Sequence, residues 1–197
     1  MTRMVDHARL TRIRNAVERV KAWMSAHGAG VLPENLARGA TAEELDACEA
    51  KIAFALPADL RALWSIHAGQ KSEQDGFVGA MDLLGPQASI DEAESVTLFL
   101  DFVREDPSSW AEAGVTKEEA ESTAWLAFAG RGYADLLVVS GVTGRVFTCG
   151  KDSPPLGLLA DSVLDWIEAY ADRVEAGKYT VEEGFGECYL AGPDGMH

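Results

Sequence analysis

No stretch of the 197-residue chain approaches the ~20 consecutive apolar residues that span a bilayer. Its strand-like apolar run, Leu136 to Val139, is far shorter, and Met1 to His7 holds no apolar signal core. Cysteine is scarce. Cys48, Cys149 and Cys188 stand far apart with no C-x-x-C pair, which predicts free, buried or partly buried thiols in a reducing compartment. These absences together predict a cytoplasmic protein. Histidine is equally sparse: His7, His27, His67 and His197 include no pair at ligand spacing and no H-E-x-x-H. His67, on the buried face of a helix, reads as a hydrogen-bonded core or cap residue. Glycine motifs are missing too. Gly130-Arg131-Gly132 follows a strand, but Asp135 occupies the place of a third glycine, and a strand follows where phosphate binding needs a helix. No P-loop and no G-x-S-x-G elbow occur. No catalytic residue, metal ligand or cofactor site is therefore assigned.

Basic residues are few as well, 17 against 32 acidic, for a net charge of −15. The imbalance is uneven. Residues 1–40 carry seven basic and three acidic residues, while residues 41–197 carry ten and 29. Such a body repels phosphate backbones and anionic membranes, so nucleic acid and membrane are excluded as partners. It attracts a cationic partner and speeds the encounter. Solubility alone also explains negative charge.

Apolar spacing organises the chain. Leu10, Ile13, Val17, Val20 and Met24 recur at three- and four-residue steps and predict a helix over residues 2–27, stopped by Gly28. Thr41-Ala42-Glu43-Glu44 is a capping box that opens a second helix. Leu56-Pro57 starts a third, with Leu60, Leu63 and Trp64 inward and Gly69 beyond its end. Strand material follows at Phe77–Leu84, then a helix over 89–104 and a short capped helix at Thr116–Glu121. Strands are expected at Trp125–Phe128, Leu136–Ser140 and Arg145–Thr148, the last two joined by a turn from Gly141 to Gly144. Leu158–Ala176 reads as one amphipathic helix, and the Gly-rich end as irregular. The order predicts an α+β fold, a mainly antiparallel sheet with helices packed on one face.

Several of these segments resemble the SUKH superfamily, also called the Smi/Knr family. The resemblance lies in Gly39–Leu45, in Leu56-Pro57-Ala58-Asp59-Leu60 through His67-Ala68-Gly69, and in Trp125-Leu126-Ala127-Phe128-Ala129. It continues in Asp135–Val139, Gly144–Phe147 and the helix Leu159–Ile167. Two positions depart from the pattern: Gln70, where a second glycine is common, and Ser140, where the family often has aspartate. The resemblance implies a SUKH-like domain over 39–180 with an inserted segment 86–124, a helical extension at 1–38 and an irregular tail at 181–197. It also implies a non-catalytic immunity protein that neutralises a cognate, basic bacterial toxin, such as a nuclease. A regulatory or scaffold protein of the cell-envelope or signalling type, and an enzyme with an unrecognised site, remain as alternatives.

The inserted segment carries ten acidic and two basic residues. Insertions lie on surfaces, where partner choice can vary. Asp91, Glu92, Glu94, Asp101, Glu105 and Asp106 are accordingly the candidate partner-binding acids, with Phe99, Phe102 and Trp110 as aromatic anchors. The competing expectation is that these aromatics pack inward. The absence of ligand-spaced His and Cys predicts that elemental analysis of the purified protein finds no stoichiometric zinc and that its absorption spectrum shows no coloured cofactor. Stoichiometric metal would contradict this reading.

Overall fold

The computed structural model describes residues 6–72, 76–105, 110, 112–131, 135–150, 156–184 and 187–192, with only the backbone of Phe102 and Arg131. The chain begins with α1 (His7–Ala26), α2 (Val31–Asn35), α3 (Ala42–Ile52) and α4 (Ala58–Ile66). Next come β1 (Asp82–Leu83), α5 (Pro86–Asp91), α6 (Ala93–Glu105) and α7 (Lys117–Glu121). Strands β2 (Trp125–Arg131), β3 (Asp135–Ser140), β4 (Val146–Gly150) and β5 (Leu156–Ala160) follow. The described chain closes with α8 (Val163–Glu175), β6 (Thr180–Gly184) and β7 (Glu187–Ala191). The fold is α+β.

Strands β1 to β5 form an antiparallel meander in sequence order. On β3, Leu137 and Val139 enter one core with Leu126, Phe128 and Val146. Leu136 and Val138 enter a second core with Trp125, Ala127, Phe147 and Cys149. The alternation follows from the two-residue period of a strand. Between Ala127 and Ala129 the β2–β3 register shifts, so Phe128 is the additional residue of a bulge. The bulge places Phe128 and Ala129 together in the first core.

Helices therefore cover both faces, which corrects the expectation of one covered face. Helices α1, α3, α4 and α8 enclose the first core, where Trp166 meets Phe128 edge-on at 5.0 Å and Tyr170 in a parallel stack. The second face is covered by the segment read as an insertion. Val96, Phe99, Leu100 and Val103 of α6, with Ala113, Val115 and Ala120, close it. The apolar run Leu136-Leu137-Val138-Val139 reflects this, because a strand buried on both faces needs apolar side chains at every position.

Four further expectations change. The single helix over 89–104 is two helices that meet at Glu92. Of Phe77–Leu84, only Asp82 and Leu83 join the sheet. The helix expected from Leu158 starts at Val163, where the Ser162 hydroxyl caps the Asp165 amide at 3.1 Å. Leu156–Ala160 is instead the last strand of the meander, its bulge at Leu159 and the Leu158 amide bonded to the Ala113 carbonyl blunting the edge. Within the C-terminal stretch expected to be irregular, residues 193–197 lie outside the described residues, while Thr180–Gly184 and Glu187–Ala191 pair as strands β6 and β7, and Cys188 and Leu190 enter the first core. Its glycines obscured an alternation of inward Cys188 and Leu190 with outward Tyr189.

Both departures from the family pattern have local work. The Gln70 side chain accepts from the Leu83 amide at 2.7 Å and the Phe77 amide at 3.2 Å, splinting the loop it opens. Ser140 Oγ accepts from the amides of Val142 and Thr143 and so shapes the β3–β4 turn. Gly69 is required by φ +89° and by contact: a β-carbon there would lie 2.4 Å from the Gly85 nitrogen.

Trp64 and Trp166 are both buried. Truncating Trp166 to alanine should destabilise the fold by about 3–5 kcal/mol in a denaturant titration. A change below ~1 kcal/mol would contradict the position of α8 in the first core.

Candidate functional site

The site is built from α6 outward. Val96, Phe99, Leu100 and Val103 recur at three- and four-residue spacing and fix one face of the helix to the sheet. The opposite face then carries Glu94, Thr97, Leu98, Asp101 and Glu105, all exposed. Leu98 is 58% exposed, an apolar side chain set between Glu94 and Asp101.

Arg104 ties this helix to α7. Its guanidinium donates to the carbonyls of Ala120 at 2.9 Å and Ser122 at 2.7 Å, and reaches Asp101 at 2.9 Å. Helix α7 is tied in turn to the sheet by Glu119, whose side chain is fully buried. Thr116 and Glu119 form a complete capping box. The same carboxylate accepts from the Thr143 hydroxyl and from Arg145 Nε at 3.0 Å and Nη2. The Glu119 carbonyl also accepts from Trp125 Nε1 at 3.0 Å. Arg145 spans the gap to the Gly114 carbonyl at 3.0 Å. Burial raises the Glu119 pKa, but the donors from Arg145, Thr143 and Thr116 outweigh it and hold it at about 2. The buried Glu119 carboxylate thus joins the apolar face of α6 and the Arg104 bonds in fastening the acidic layer.

The predicted binding residues divide by type. Glu94, Asp101 and Glu105 share the outer face of α6, and Asp91 is exposed at the end of α5. Glu92 lies at the α5–α6 junction, half-buried, with Oε2 enclosed. The aromatic anchors do not join them. Phe99 is only 8% exposed and belongs to the second core. Trp110 is half-buried against the same core and donates from Nε1 to the Val103 carbonyl at 2.6 Å. Asp106 and the Phe102 side chain lie outside the described residues. Both described aromatics turn inward because the second sheet face needs their apolar area. Leu98 was missed in their place. Its signal was present: it stands four residues after Glu94 and off the apolar stripe of α6.

Among the described residues, acids of the body pair with three arginines of α1. Arg9 grips the buried Asp59 at 2.7 and 2.5 Å. Arg12 meets Glu168 at 2.6 Å, and Arg19 meets Asp172 at 2.7 Å and also Glu175, tying α1 along α8.

Two open clefts add little chemistry. One, of about 380 Å³, lies between Arg9, Pro57–Asp59 and the Gly141–Gly144 turn. The other, of about 560 Å³, runs between α3 and α5 over Ala47, Ala88 and Cys48. Burial pushes the Cys48 thiol pKa up, which keeps it protonated. His67, half-buried at the C-cap of α4, has Nδ1 2.8 Å from the Ala37 carbonyl, and burial lowers its pKa, which fits the cap reading of this histidine. Among the described residues, no group of three or more His, Cys, Asp or Glu side chains is placed to hold a metal ion. No described helix is long and apolar enough to cross a membrane.

Compared with known families, residues 39–169 match the model of the SMI1 / KNR4 family (SUKH-1). The chain belongs to the SMI1 / KNR4 family. The matched range contains α6 and α7, so the acidic layer lies within the SUKH-1 span. Helix α1 and the β6–β7 hairpin lie outside it, although both contribute to the first core. No curated protein matches the chain.

Glu119 generates a pH test. An unfolded glutamate titrates near ~4.3, so a folded value near 2 adds stability above that range, lost as pH falls through it. Glu119→Gln should therefore destabilise the protein most at neutral pH. The gap to wild type in urea titrations should narrow as pH falls from about 5 to about 2. A gap that stays constant over that range would contradict the buried pair.

Proposed function

We propose that this SUKH-1 protein is a non-catalytic immunity protein that neutralises a basic protein toxin by covering it with an acidic surface. One observation carries the reading: the outer face of α6 presents Glu94, Asp101 and Glu105 on a helix that the sheet holds in place. The segment 86–124 has a net charge of −8, from ten acids against two cations. Family membership supports the same reading, since it is consistent with an immunity-type protein.

Physics favours binding at this face. Rigid helices lose little conformational freedom on association. A field of one sign steers an oppositely charged partner and raises the association rate. A toxin that acts on nucleic acid needs a cationic cleft, and a row of carboxylates substitutes there for phosphates. Asp91 lies beside this row and belongs to the same surface; Glu92, half-buried, contributes to the field more than to contact.

The test starts from co-expression with the product of an adjacent toxin-like reading frame and co-purification of the pair. Replacing Glu94, Asp101 and Glu105 together by lysine should slow association by about tenfold or more at low salt, with the melting curve preserved. The difference should shrink as ionic strength rises, because screening removes the steering term. Equal rates at low salt for a folded variant would remove α6 from the binding surface.

A further inference from the structure

The outer face of α6 is not purely acidic, and its apolar member calls for a partner of narrower chemistry. Among the described residues only five large hydrophobic side chains are exposed: Val31, Leu98, Val142, Leu158 and Leu159. Leu98 is the most exposed of them. Leu158 and Leu159 lie on the blunted sheet edge, and Val142 lies in the β3–β4 turn. Leu98 differs because it sits mid-helix, four residues after Glu94 and three before Asp101, with Glu105 one turn further. Those spacings put all four on one stripe.

Helix α6 already fills the second core with Val96, Phe99, Leu100 and Val103, so Leu98 is not needed there. The position is also held still. The apolar face is packed on the sheet, and Arg104 pins the last turn to the carbonyls of Ala120 and Ser122. A leucine on a packed helix, flanked along its exposed stripe by Glu94 and Asp101, has the layout of an interface anchor: an apolar centre beside charge.

Building on the binding role proposed above, we infer that Leu98 is the apolar anchor of the acidic face, and that its partner presents an apolar patch ringed by lysine or arginine. Charge complementarity sets the ring, and the exposed leucine sets the centre. A partner with cations alone would meet Glu94, Asp101 and Glu105 but leave Leu98 in water, forgoing the burial of an apolar side chain. A partner with an apolar surface alone would have to strip water from unpaired carboxylates.

The experiment uses the full chain and two synthetic peptides of equal length and charge, one alternating lysine with leucine and one alternating lysine with glycine. Binding is followed by NMR shifts of the α6 amides. Wild type should bind the lysine–leucine peptide about tenfold more tightly, corresponding to about 1.4 kcal/mol. Leu98→Ala should abolish that preference while retaining the lysine–glycine affinity. Glu94→Lys with Asp101→Lys should weaken both peptides. Equal affinity of wild type for the two peptides would overturn the anchor and leave the acidic-face reading standing. Shifts confined to other elements would likewise overturn the anchor, as would a preference that survives in Leu98→Ala. Binding of neither peptide would overturn both. A melting curve for each variant separates loss of binding from loss of fold.

Discussion

Strand β3 is buried on both faces, and much of the molecule follows from that. Leu137 and Val139 need one apolar layer, and Leu136 and Val138 need another. A sheet with one solvated face would leave Trp125, Phe147 and Cys149 in water. The segment 86–124 is therefore as structural as the helices of the first core, although it carries a large share of the acid. Glu119 completes the attachment from within. It is buried, it pairs with Arg145, and it anchors the turn that leads from α7 into β2. A buried ion pair adds less net stability than its geometry suggests, because both charges give up water. Any other seating of α7 would leave the buried carboxylate without the donors it has from Arg145 and Thr143.

The same attachment separates the two jobs of α6. One face is committed to the sheet by packing, which frees the other to carry charge with little consequence for the fold. Net charge here is not a diffuse property. Arg9, Arg12 and Arg19 of α1 are matched to Asp59 and to acids of α8, whereas among the described residues the outer row of α6 has a cation partner in Arg104 beside Asp101.

Much of the fold was legible from local signals. The capping boxes at Thr41 and Thr116 form as their spacing predicts, because the interaction involves only neighbours in sequence. The β3–β4 turn also forms where Gly141 to Gly144 places it, closed by the Gly144 amide on the Ser140 carbonyl. The failures share one cause, since tertiary contacts decided them. Leu158 and Leu159 fit a helical stripe, but β4 recruits that stretch as a strand. The C-terminal hairpin is short and flanked by glycine, so its burial of Cys188 and Leu190 was hidden by composition. At the candidate site the exposure of Glu94, Asp101 and Glu105 was legible, and the direction in which the aromatics face was not. Which of Leu98, Phe99 and Trp110 faces water depends on where α6 meets the sheet. The spacing of Val96, Phe99, Leu100 and Val103 held that answer once both sheet faces were known to need cover.

Hydrogen–deuterium exchange on the protein, alone and bound to the co-purified toxin, tests the central claim most directly. The acidic outer face of α6 is predicted to be the contact, so amides of residues 93–105 should gain protection in the complex while those of α1 and α8 stay unchanged. Protection confined to α1 and α8, or to either cleft, with α6 exchanging as in the free protein, would contradict it.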